Sequence, residues 1–150
     1  MLSCEHRARV LINQGVRESM IDPGAIKSVT ICSSSKFYAT AKRVAGALDE
    51  KGLAVFTPRF EYDEEVVTVS PDEKMKLTHE FLEKISRSDA IYVIDEGGYT
   101  GQSVCIEIGY ASALGKTVIL SEPPAEGAVM ALTDAVVSAE EFPSALVCGL

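Results

Sequence analysis

Gly97-Gly-Tyr-Thr-Gly-Gln-Ser-Val-Cys-Ile-Glu-Ile-Gly-Tyr-Ala-Ser-Ala-Leu-Gly-Lys-Thr-Val-Ile-Leu120 decides the reading of this chain. The stretch follows an apolar strand, Ala90-Ile-Tyr-Val-Ile94, and crosses a glycine-rich turn. It then enters a helix over 103–114, stopped at Gly115, and ends in a second apolar strand over 117–120. A helix N-terminus beside a strand end is where α/β proteins bind ligands, anions above all. One carboxylate, Glu107, lies about one turn into that helix, between Ile106 and Ile108. Apolar neighbours on both sides imply partial burial, and a buried carboxylate is costly unless it has partners or a function. Taken alone, Glu107 also fits an exposed helix charge.

Outward from this stretch, the same alternation continues. Ser28-Val-Thr-Ile-Cys-Ser33 is β-branched and apolar, a buried strand. Residues 34–51 carry Phe37, Ala41, Val44, Ala45 and Leu48 at helical spacing, and Gly52 ends them. Leu53-Ala-Val-Phe-Thr57 is a second strand, closed by Pro58. Residues 61–71 are acidic with a valine-rich centre and read as a loop over the strand ends. Ser70-Pro71-Asp72-Glu73 opens the next helix with a cap, a proline and first-turn acids; that helix runs to about Arg87. A short helix near 128–133 and a fifth strand over 135–138 follow, and the tail adds one helical turn. At the other end, Val10, Leu11, Val16 and Met20 with interspersed charges predict an amphipathic helix over 4–20, broken at Asp22-Pro23-Gly24.

Strands alternating with helices predict an α/β fold: one doubly wound, flavodoxin-like parallel sheet with helices on both faces. Right-handed crossovers leave few topologies, of which the strand order 2-1-3-4-5 is favoured. The 150 residues fit one domain, with 1–27 as an N-terminal helical extension and 28–138 as the core. The net charge of −8 and the lack of a basic patch argue against a nucleic-acid partner. Two histidines and four cysteines without a Cys-x-x-Cys pair point to no metal and to reduced thiols. Neither a signal-peptide core nor a membrane-length apolar run stands out, so a cytoplasmic protein without membrane attachment is expected.

Three groups of residues carry chemistry. Ser33, Ser34, Ser35 and Lys36 join the first strand to its helix. Hydroxyls and free N–H groups there make an anion cradle, and equally an ordinary N-cap. Of the aromatics that follow, Phe37 and Tyr38, one is placed to stack on a base and the other to enter the core. The second group is the turn. It is no Walker loop, since three residues rather than four separate Gly97 from Gly101 and Gln102 stands where the lysine would be. Glycine backbone near a helix start still lets a ligand approach, which makes Gly98, Tyr99, Gly101 and Ser103 candidate substrate contacts. An ordinary connection capped by Ser103 is the plain alternative. The third group is Glu107 with Tyr110, and with Asp95, which points toward the same crevice from the end of the third strand.

The order of strand, Gly-rich turn and Glu107-Ile-Gly-Tyr-Ala-x-Ala-x-Gly-Lys-x-Val-Ile119 resembles the nucleoside 2-deoxyribosyltransferase superfamily. That superfamily also contains nucleoside 5′-monophosphate N-glycosidases. The resemblance spans about residues 28–120 and is most specific at 107–119. It implies that Glu107 is the nucleophile on the anomeric carbon, in the manner of retaining glycoside cleavage. It implies that Ser33, Ser34, Ser35 and Ser103 hold a 5′-phosphate, and that Asp95 or Tyr110 orients substrate or nucleophile. It further implies a small nucleoside or nucleotide as ligand, no cofactor and a homo-oligomer. The chain departs from many of the transferases at Gly101, where they carry an aspartate six residues before the glutamate. Two functions therefore stand: cleavage or transfer at an N-glycosidic bond, or a nucleotide-binding module that kept the pocket without the chemistry.

Overall fold

The computed structural model describes residues 9–12, 15–18 and 22–147. Two strands, β1 (Arg9–Ile12) and β2 (Gly15–Glu18), pair antiparallel with Ile12 opposite Gly15. The predicted helix over 4–20 is thus corrected wherever it can be compared, and residues 4–8, 13, 14, 19 and 20 lie outside the described residues. The reason is local. Val10-Leu11-Ile12 and Val16 are strand formers, and Gly15 disfavours a helix interior.

The main sheet has five parallel strands: β3 (Ser28–Ser33), β4 (Ala54–Phe56), β5 (Ala90–Ile94), β6 (Thr117–Leu120) and β7 (Ala135–Val136). Their spatial order is β4-β3-β5-β6-β7, which is the predicted 2-1-3-4-5. Between them run α1 (Tyr38–Glu50), α2 (Pro71–Arg87), α3 (Gln102–Ala113) and α4 (Gly127–Ala131), and α5 (Phe142–Val147) closes the described chain. No helix among the described residues is long and apolar enough to cross a membrane.

Side chains alternate across each strand and feed two cores. Val29, Ile31, Ala90, Tyr92, Ile94 and Ile119 meet α1 and α5 through Val44, Leu48, Phe142 and Leu146. Cys32, Ile91, Val93, Val118 and Leu120 meet α2 and α3 through Ile85, Val104, Ile108 and Ala111. Tyr92 anchors the C-terminal segment: its ring stacks on Phe142 at 3.8 Å, and its hydroxyl donates to the Val137 carbonyl at 2.6 Å. Both contacts sit on buried groups, where a satisfied hydroxyl and a large ring contribute most.

The chain leaves β3 for the edge strand β4, then returns across β3 to form β5. The carboxyl ends of β3 and β5 therefore splay two connections apart, which opens a crevice at the switch point. Helix α2, rooted by a capping box between Ser70 and Glu73, forms the wall over that crevice.

Candidate active site

A cavity of about 600 Å³ occupies the crevice, walled by the 33–36 turn, the segment 58–65, α2 and the start of α3. Glu107 is part of its lining. Helix α3 buries Val104, Ile108 and Ala111 against the sheet. Glu107 is one turn from Val104 and from Ala111, so it stands at the edge of that buried stripe. The cavity reaches its side chain, and protein surrounds the remaining sides. Burial pushes its carboxyl up to about 8, with Lys74 pulling the other way. Among the described residues no hydrogen bond to this carboxyl contributes.

The start of α3 is uncapped by any side chain, because Gly101 rather than Ser103 occupies the N-cap position. The Cys105 N–H donates to the Gly101 carbonyl at 3.0 Å, which winds the helix from Gln102. The expectation that Ser103 caps the helix is thereby corrected. Ser103 instead lines the cavity as an exposed second helical residue, beside N–H groups with no intrahelical partner. Across the crevice, Ser33 donates to the Ser34 carbonyl at 2.8 Å, and the Ser34 hydroxyl accepts from the Lys36 N–H at 3.4 Å. Capping thus accounts for Ser34, while Ser35 faces the cavity from the first position of the 3-10 turn.

The two aromatics divide between cavity and core. Tyr38 lines the cavity with its ring edge-on to Phe60 at 5.0 Å. Burial, with Asp63, Glu107 and Glu64 nearby, pushes its hydroxyl up to about 12, so it stays neutral. Phe37 packs on the first core and edge-on against Tyr99 at 6.1 Å. Tyr99 and Gly101 line the cavity; Gly98, Phe37, Asp95 and Tyr110 do not.

Each of those placements has a cause. Asp95 is wholly buried and turned toward β6, where its Oδ1 accepts from the Ser121 hydroxyl at 3.0 Å and the Glu122 N–H at 2.9 Å. It clamps the ends of β5 and β6 rather than facing the crevice, which corrects the expected direction. Its Oδ2 has no partner among the described residues, and burial pushes the carboxyl up to about 7. Tyr110 lies nearly one turn beyond Glu107, away from the helix start where the cavity opens, and packs on the second core. Gly98 has φ 80°, and a Cβ there would lie 2.8 Å from the Pro123 carbonyl oxygen. Gly98 is therefore a packing requirement of the turn. Gly98→Ala is expected to destabilise the fold by about 2 kcal/mol or more, read by chemical denaturation. Gly101 has no such requirement, since its φ is −71° and the nearest atom to a Cβ, the Tyr99 hydroxyl, is 3.7 Å away.

Sequence reasoning missed the α2 wall. Lys74, Leu77, Thr78, Phe81 and Lys84 all line the cavity. Their spacing is that of one helix face, which reads as a core-packing stripe. Yet Ile85 is the only fully buried residue of this helix, and the face ahead of it looks into the cavity. Glu64, in the acidic loop over 61–71, and Arg59, just ahead of that loop, line the cavity and were missed as well.

Three solved structures are similar to this one. The 2-deoxyribosyltransferase of Bacillus psychrosaccharolyticus matches with a TM-score of 0.50 and 24% identity, over 73% of this chain and 82% of that one. The CMP N-glycosidase of Clostridium botulinum matches with a TM-score of 0.52 and 22% identity, over 80% and 98%. A conserved protein of Enterococcus faecalis matches with a TM-score of 0.55 and 16% identity, over 84% and 100%. The chain has the nucleoside deoxyribosyltransferase-like fold. No family model and no curated protein matches the sequence. On this fold, the switch-point cavity and the glutamate in its lining stand where the α/β architecture places ligands.

Proposed function

We propose that this protein cleaves or transfers at the N-glycosidic bond of a nucleoside or nucleoside 5′-monophosphate, with Glu107 as the nucleophile. The observation that carries the reading is a buried carboxylate, without a hydrogen-bond partner among the described residues, that lines a 600 Å³ cavity one turn from the uncapped start of α3. A nucleoside fits a cavity of that size. In the reaction, a Glu107 oxygen bonds to the anomeric carbon as the carbon–nitrogen bond breaks. The base leaves with the bonding electron pair and takes up a proton. Water, or a second base, then attacks the same carbon and releases Glu107. Positive charge grows on the sugar in the transition state, and a poorly solvated carboxylate at close range stabilises it. The free N–H groups of α3, with Ser103 and Ser35, suit an anionic or hydroxyl-bearing end of the substrate.

A second reading is favoured by one position. Gly101 contributes no carboxylate to the wall, although a side chain would fit there. A module that binds nucleotides without cleaving them would have this property.

The test is base release from a panel of nucleosides and 5′-monophosphates, ribo and deoxy, by wild type and Glu107→Ala. Free base from wild type alone supports the enzyme. A concentration-dependent melting shift without base release supports the binding module. Base release that survives Glu107→Ala overturns the nucleophile.

A further inference from the structure

Four cationic side chains line the cavity, and three of them are engaged away from Glu107. Lys36 lies over the Tyr99 ring at 4.5 Å. Arg59 pairs with Glu61 at 2.9 Å and reaches Glu80 at 3.7 Å. Lys84 donates to the Thr57 carbonyl at 2.9 Å and lies 3.8 Å from Glu80. Lys74 differs. Its Nζ is 2.5 Å from Glu64 Oε1, and it is the cation whose field acts on Glu107.

Lys74 shares one cavity with carboxylates from two other elements, Glu64, with which it is paired, and Glu107. Glu64 belongs to the turn that Asp63 organises by accepting the Glu65, Val66 and Val67 N–H groups. Glu107 belongs to α3, against which α2 packs. The Lys74 backbone is fixed, because it is the fourth residue of α2 and its N–H donates to the Ser70 carbonyl at 2.9 Å inside the capping box. Its side chain is 44% exposed, so the flexible four-carbon stem is free to redirect the ammonium. The other groups facing Glu107 cannot take this role. Tyr38, from α1, stays neutral, and burial keeps the Cys32 thiol of β3 protonated. Glu64 and Glu65, from the loop, carry the same sign as Glu107.

We propose that Lys74 is a positioning residue shared between Glu64 and Glu107, so that the ion pair at the cavity wall sets how much charge the nucleophile carries. The proposal rests on the reading of Glu107 as nucleophile. With Lys74 drawn to Glu64, Glu107 has little electrostatic support. A ligand that enters between the loop and α2 and displaces Glu64 leaves the ammonium to Glu107. The nucleophile then ionises when substrate is present.

The test compares Glu64→Gln, Lys74→Met and the double variant with wild type. Both side chains are about half exposed, so the fold tolerates either change. The readout is the pH titration of the Glu107 carboxyl by carbon-13 NMR in the ligand-free protein, assigned with Glu107→Gln. Glu64→Gln is expected to lower the titration midpoint and Lys74→Met to raise it, each by about one pH unit. The double variant should behave as Lys74→Met. The acid limb of the base-release profile should move in the same opposite directions. A tether that merely holds the loop predicts equal effects, since both substitutions break the same ion pair. Shifts of the same sign in both variants, or no shift in either, overturn the proposal. Absence of base release from wild type would overturn the nucleophile reading instead, while the titration still decides the coupling.

Discussion

Glu107→Gln is expected to lower the rate of base release by at least about a thousandfold. An amide of the same shape keeps the packing between Val104 and Ala111 but has no lone pair suited to form the glycosyl ester. Ligand affinity, read from the melting shift, should change only a few-fold, because the N–H groups of α3 and the serine hydroxyls are untouched. The pairing of lost turnover with retained binding separates a nucleophile from a structural residue. A variant that turns over within tenfold of wild type would show that the carboxylate does no covalent work. One that neither binds nor folds would place Glu107 in the packing of α3.

Stability should fall as the pH rises from 5 to 8. The Glu107 carboxyl ordinarily titrates at 4.5 and is pushed up to about 8 by burial; Asp95 ordinarily titrates at 3.8 and is pushed up to about 7. In both, the folded chain holds the proton more tightly than the unfolded chain. Across this window the folded state binds more protons, so raising the pH favours unfolding. Each such group contributes at most about 1.4 kcal/mol per pH unit. A loss of roughly 2–4 kcal/mol over the window is expected after allowing for relaxation around the buried charges. Asp89, held below its ordinary range chiefly by the Lys27 N–H, acts with the opposite sign but at lower pH. Glu107→Gln should flatten the slope by about half and leave a more stable protein at pH 8. Urea denaturation at pH 5, 6.5 and 8 checks both statements, and a flat or rising wild-type curve would refute them. On the proposed reading of Glu107 as nucleophile, the same proton that stabilises the fold masks it. Activity is therefore expected to grow over the pH range in which stability declines.

Much of this architecture was legible in the chain because its causes are local. Ser70, Pro71 and Glu73 encode the start of α2 within four residues; the cap and the proline stand as read, and Glu73 closes the cap into a capping box. Strand β5 matches its apolar run residue for residue. The N-terminal segment misled because Val10, Leu11 and Val16 fit a helical repeat on a wheel, although β-branched residues and Gly15 favour the paired strands that form. Glu107 was legible as a candidate because a carboxylate inside an apolar stripe conflicts with simple burial, and the structure puts it on the cavity lining. Asp95 was equally conspicuous, but its conflict is resolved by Ser121 and the Glu122 N–H, which lie 26 and 27 residues further along.

The sequence by itself determined the alternation of strands and helices, the crossovers that make a switch point between β3 and β5, and the glutamate beside it. These follow from hydrophobic period, caps and chain handedness, which act over a few residues or are common to all such folds. Only the tertiary structure decided which side chains share the cavity. Lys74, Thr78 and Phe81 sit on a helix face that periodicity reads as core, and Asp95 follows a strand whose carboxyl end faces the crevice. Whether such a face meets packed side chains or open space depends on where the next element lands. That is a property of four segments, at 33–38, 58–65, 74–84 and 99–107, brought together by packing.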